Sequence, residues 1–161
     1  MRKSKVNTSM IPEIGEGKRG ESGHIGYLLR QAHAAHRIRM EQVLQDVGVT
    51  LPQFSVLLMV AEYPKASGAD LARLSLLTPQ TMSVIVKNLE KAGMISKLPH
   101  PEHGRIQIIE ITQLGEALLR QCKGVVKSTE NRLLSGVSES DEKVIRKWLV
   151  DVAKQFDIDK A

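Results

Sequence analysis

One cysteine in 161 residues, Cys122, excludes an internal disulfide framework and a cysteine-built zinc site. Aromatic residues are 3% of the chain while hydrophobic residues are 42%. The core must therefore be assembled from Leu, Ile, Val, Ala and Met, which favours helices over aromatic-rich strands. No apolar run approaches the roughly 20 residues that a bilayer-crossing helix needs, so no membrane partner is expected. The opening stretch MRKSKVNTSMIPEIGEGKRGESG is basic but has no apolar segment behind it, unlike a secretory signal, and a cytoplasmic location follows. A phosphate-cradling glycine loop, paired carboxylates at a readable spacing and a marked nucleophile beside a base are all missing. The expectation is a protein that is not an enzyme and uses no cofactor.

What the chain does have is a modest excess of positive charge, +5 in total, with a pI of about 9.4. The excess is unevenly spread: residues 1–20 carry +3 of it and residues 64–112 carry +2. A nucleic-acid partner is compatible with this balance, but charge alone does not establish one.

Residues 1–23, rich in Gly, Ser and charge, show no sustained period and read as a flexible basic arm. Residues 24–160 read as one domain. A first helix follows from Leu29, His33, His36, Met40, Val43 and Val47, and Gly48 ends it. Thr50, Pro52 and Gln53 start a second helix that Pro64 stops. Ser67 with Asp70 caps a short third helix packed through Leu71, Leu74 and Leu77. Thr78 and Pro79 start a fourth, TPQTMSVIVKNLEKAGMI, whose Met82, Ile85, Val86 and Leu89 share one face and whose stop is Gly93. MISKL and RIQIIEI flank PHPEHG as a small hairpin. Thr112 caps a long helix with Leu118, Cys122, Val125, Val126, Thr129 and Leu133 in line. A last helix, capped by Ser138 and Asp141, carries Val144, Ile145, Trp148, Leu149, Val152 and Phe156. The fold class is mainly α with a small β-hairpin.

Helix, short helix, helix and hairpin in that order is a winged helix-turn-helix, in which the helix opened by Thr78 would lie in a DNA major groove. Side chains that enter a groove must be short and able to donate, accept or meet a thymine methyl. Gln80, Thr81, Ser83 and Val84 fit: Gln80 for adenine, Thr81 and Ser83 for a base or phosphate, Val84 for a thymine methyl. Lys87 is placed one turn on for phosphate or guanine, and the amides near Thr78 suit a phosphate. Arg105, at the tip of the wing, would reach the minor groove or backbone, and Lys97 a phosphate. The bland reading of each is an ordinary solvated side chain.

The stretches VTLPQFSVLLMVAE, ADLARLSLLTPQTMSVIVKNLEKAGMI and RIQIIEITQLGEALL, in that order and spacing, resemble the multiple antibiotic resistance regulator (MarR) family of bacterial transcription factors. The likeness covers residues 24–157. It implies a homodimer formed by helices in residues 24–48 and 113–157, with a DNA-binding lobe in residues 50–112 on a pseudo-palindromic operator. It also implies repression of nearby genes until a small molecule intervenes. An effector crevice in this fold would involve His33, His36, Arg37, Met40 and Phe54, and the arginine would suit an anionic aromatic ligand. The family's wing reads Asp-Pro-x-Asp-Arg-Arg, against His100, Pro101, Glu102, His103, Gly104 and Arg105 in this chain. Pro101 and Arg105 match; both aspartates, which would orient the wing arginine, are histidines.

Two other classes are open. His33 and His36, at i and i+3, offer two imidazoles for a metal, but a site needs further ligands, so no metal site and no hydrolase is assigned. Cys122 on an apolar stripe without a flanking cation reads as inert. A winged helix used only for protein assembly is the remaining alternative, and it predicts a partner affinity independent of salt.

Overall fold

The computed structural model describes residues 11–102 and 104–155. The first ten residues of the expected arm, His103 in the wing and Phe156 in the last stripe lie outside the described residues. The chain divides into two compact units, residues 1–51 and 52–161.

In the first unit, the described part of the arm has local order. A 3-10 turn spans Gly17–Arg19, and Arg19 donates to the Pro12 carbonyl at 2.8 Å and to Gln31 Oε1 at 3.2 Å. Helix α1, Ile25–Gln45, follows. Only its second half is covered: Met40, Val43 and Leu44 are buried, whereas His33 and Ile38 are exposed.

The second unit contains the order foreseen from the caps. Helix α2, Leu51–Glu62, buries Phe54, Val56, Leu57 and Val60. Helix α3, Gly68–Leu74, starts at a complete capping box in which the Ser67 hydroxyl accepts from Asp70 N–H at 3.2 Å and Asp70 Oδ2 accepts from Ser67 N–H at 3.0 Å. Leu74, expected in the packed face, is half-open at 39% exposure because α3 ends on it and the chain turns away. Helix α4 is Pro79–Lys91. Strands β1, Ile95–Pro99, and β2, Gln107–Ile111, pair antiparallel with Lys97 opposite Ile109. Ser67 bridges to Ile108, and Ile109 N–H donates to the Ala66 carbonyl at 3.0 Å, so the hairpin is stitched to the entry of α3.

Helix α5, Gln113–Leu133, buries Gly115, Leu119, Cys122, Val126 and Thr129, a three-four alternation one residue out of phase with the expected Leu118. Leu133 is exposed. Helix α6, Glu139–Gln155, buries nothing, and its Val144, Ile145, Trp148, Leu149 and Val150 are all exposed.

Asp70 completes the capping box at the entry of this lobe. The Ser67 hydroxyl, then the Ser67 N–H, and the Arg73 guanidinium hold its carboxyl below the usual range. Its lowered folded value means the contribution is present at neutral pH and is lost as pH falls through that value. We expect Asp70→Ala to cost about 1 kcal/mol at pH 7, with the gap to wild type closing below about pH 4. Urea titrations at both pH values measure it, and a gap that widens in acid would contradict the assignment.

Candidate nucleic-acid interface

The leading end of α4 is fixed by its own first residues. Thr78, extended at φ −68° and ψ 151°, accepts the Thr81 N–H at 3.2 Å, and Pro79 follows at the first helical position, where a missing amide proton costs nothing. The Thr78 and Thr81 hydroxyls lie 2.9 Å apart. No acidic residue stands in the first turn. The positive end of the helix dipole is therefore unopposed by its own side chains.

Burial divides this helix cleanly. Met82, Ile85, Val86 and Leu89 are buried, while Gln80, Thr81, Ser83, Val84 and Lys87 are exposed, so the five side chains read as groove contacts are open together. Asn88 is exposed beside Lys87, and its spacing from Thr81 and Val84, at i+7 and i+4, puts it on the same face.

Lys97, read as a phosphate contact, donates from Nζ to Glu90 Oε2 at 2.8 Å, and the pair ties β1 to the last turn of α4. Next to it lies a cleft of about 290 Å³ lined by Gly68, Met82, Ser83, Val86, Lys97 and Ile109.

At the wing tip, His100 N–H donates to the Ile106 carbonyl at 2.8 Å. Its Nδ1 accepts the Glu102 N–H at 3.1 Å. An imidazole acceptor thus closes the turn where an aspartate would be expected to do so. Arg105 is exposed, and with Ile106 it belongs to the turn rather than to β2.

The residues read as an effector site are placed as follows. On α1, His33 is exposed, His36 is half-buried and Met40 is buried, and Arg37 donates from Nε to Glu41 Oε1 at 2.9 Å. On α2, Phe54 is buried. Among the described residues no three His, Cys, Asp or Glu side chains converge. Cys122 is fully buried and burial pushes its thiol up, away from the reactive thiolate. No helix among the described residues is long and apolar enough to cross a membrane.

Known proteins carry the same pattern. The profile of the MarR family matches residues 47–106. The HTH-type transcriptional repressor Rv2887 of Mycobacterium tuberculosis is 31% identical over 125 residues, covering 78% of this chain and 90% of the relative. The crystal structure of Rv2887 in complex with DNA superposes with a TM-score of 0.65 at 29% identity, over 81% of this chain and 98% of that one. CouR from Rhodococcus jostii RHA1, crystallised with p-coumaroyl-CoA, gives a TM-score of 0.76 at 23% identity over 82% and 93%, a likeness of fold. A half-open α4 with no acid in its first turn, a stitched two-strand wing and this identity across most of both chains lead to one conclusion: the protein belongs to the MarR family of winged helix-turn-helix transcriptional regulators.

Proposed function

We propose that the protein is a cytoplasmic repressor, rather than an enzyme, that binds a pseudo-palindromic operator as a homodimer and is released by a small anionic or aromatic effector. The observation that carries this reading is the face of α4 itself: Gln80, Thr81, Ser83, Val84 and Lys87 are open to solvent with no acid at the helix's leading end. Such a face is unsuited to packing and suited to a groove lined by phosphates. In this reading Gln80, Thr81, Ser83 and Val84 read base edges, Lys87 and the amides near Thr78 meet phosphate, and Arg105 reaches the minor groove from the wing.

The twofold partner is supported by the open apolar side chains of α6, where Val144, Ile145, Trp148 and Leu149 share one exposed face. Together with the uncovered first half of α1, they supply what a second copy would bury. That Rv2887 has been crystallised with salicylic acid, in a structure 30% identical to this chain with a TM-score of 0.64, supports an aromatic carboxylate as the effector class. His33, His36, Arg37, Met40 and Phe54 are one candidate set for it. The cleft beside Lys97 favours a second: it is apolar at Met82, Val86 and Ile109, polar at Ser83, and bounded by one ammonium.

Selection of bound fragments from a random duplex library is the direct test, and an inverted repeat is the expected product. A protein-only assembly module would return no enriched duplex, and its partner affinity would not fall with salt as DNA affinity must. On the recovered operator, Arg105→Ala should weaken binding by about 1–3 kcal/mol. A gel-shift titration giving wild-type affinity would remove Arg105 from the interface.

A further inference from the structure

Two non-glycine residues among those described hold a positive φ, Lys65 at 68° and Leu76 at 52°. Leu76 sits in the turn between α3 and α4, two residues before the Thr78 cap. That turn is a Schellman closure: Leu76 N–H donates to the Arg73 carbonyl at 3.2 Å and Leu77 N–H to the Ala72 carbonyl at 3.0 Å. The same pair of bonds ends α4, from Gly93 to Glu90 and from Met94 to Leu89, both at 2.9 Å, with Gly93 at φ 73°. It ends α1 as well, from Gly48 to Gln45 at 3.0 Å and from Val49 to Leu44 at 3.2 Å, with Gly48 at φ 71°.

Glycine fills the left-handed position in two of these three closures because a Cβ there crowds the neighbouring carbonyl oxygen. In the third, a leucine holds the unfavourable conformation. Its side chain returns nothing to the fold: Leu76 is 94% exposed, while Leu71 and Ala72, at 0% and 2%, supply the packing of the turn. A strained position occupied by a side chain without a role inside the chain points to a contact outside it.

Resting on the reading of α4 as the groove-entering helix, we propose that Leu76 is an operator contact whose side chain seats against an apolar edge of the DNA, a thymine 5-methyl or a deoxyribose at the groove rim. Its neighbours favour DNA over a protein partner. Its chain neighbours Thr78, Gln80 and Thr81 are polar and exposed, and with Leu74 at 39% exposure and Pro79 open the apolar surface here is a few side chains, far short of a protein interface. Base edges and sugars offer apolar features of that size, and an aliphatic side chain against a thymine methyl is a recurrent element of groove readout.

The test uses the full chain and the operator recovered by selection. Leu76→Gly should melt no lower than wild type, because glycine is at ease at this φ, yet bind roughly tenfold more weakly, the loss expected for one partly buried aliphatic contact. Leu76→Ala, which removes the side chain without adding glycine's freedom, should lose as much, and Leu76→Met should stay within about twofold of wild type. Replacing each operator thymine by deoxyuridine separates the sources. A position whose methyl matters to wild type but not to Leu76→Gly identifies the base, and insensitivity at every position identifies the sugar. Wild-type affinity in Leu76→Gly, or a clear drop in its melting temperature, overturns the proposal and leaves the reading of α4 intact. Failure of the wild-type protein to bind any duplex overturns that reading itself.

Discussion

Ser83→Asp is expected to abolish operator binding while leaving the protein folded. Ser83 is exposed in the second turn of α4, flanked by Val84 and one turn from Gln80, on the face proposed to enter the groove. A serine hydroxyl can donate to a phosphate or base oxygen; a carboxylate can only accept, and it brings a full negative charge between two phosphate rails. The lost hydrogen bond is worth about 0.5–1.5 kcal/mol, but the added repulsion acts in a partly desolvated groove and should raise the total loss above about a hundredfold in affinity. Stability should barely change, since aspartate costs only a few tenths of a kcal/mol more than serine in a helix and stands near the positive end of the dipole. A gel-shift titration paired with a melting curve separates the two effects. Ser83→Ala serves as the control, expected to lose tenfold or less. Tight binding by Ser83→Asp at wild-type melting temperature would mean that this face of α4 does not meet DNA.

The elements that local chemistry defines were readable without coordinates. Ser67 with Asp70, Thr78 with Pro79, and Gly93 each mark a helix end by a residue type whose physical reason is confined to a few neighbours, and each is found at its place. The exposed face of α4 was readable for the same reason, since a 3.6-residue period fixes which side chains share a side. What depended on distant partners was not. Lys97 looked like a free cation until Glu90, seven residues earlier on another element, was seen to engage it. The left-handed backbone of Leu76 was not legible either, because nothing in a pattern of hydrophobicity reports a positive φ. His100 looked like a damaged family position, yet its ring nitrogen closes the turn. The apolar line of α6 was readable as a stripe, but a stripe does not tell a buried core from an open surface.

Gly115 is the second residue whose substitution should have a large effect, and here the fold itself is at stake. Thr112 opens α5 by donating its hydroxyl to the Gly93 carbonyl at 2.7 Å and accepting the Gly115 N–H at 3.0 Å, while Thr112 N–H donates to the Met94 carbonyl at 3.0 Å. These bonds draw the first turn of α5 onto the segment that joins α4 to β1. A Cβ on Gly115 would lie 2.0 Å from the Met94 carbonyl oxygen and 2.8 Å from Ile111 Cγ1. The first of these is backbone, held in place by its own hydrogen bond, and cannot step aside as a flexible side chain would. Alanine is the better helix former by about 1 kcal/mol, yet forcing a methyl into a packed backbone contact costs about 1–3 kcal/mol or more, so the clash should win. We expect Gly115→Ala to lower the melting temperature by several degrees, at about 2–4 °C per kcal/mol for a chain of this size. Operator affinity should fall with it, because the displaced segment sets the angle between α4 and the wing. Gly124, in the same helix, has nothing within 4 Å of an added Cβ. Gly124→Ala should therefore raise stability by up to about 1 kcal/mol through helix propensity alone. Opposite signs from one substitution at two sites of a single helix would isolate the close approach as the cause, whereas equal gains at both would mean that α5 does not press on Met94.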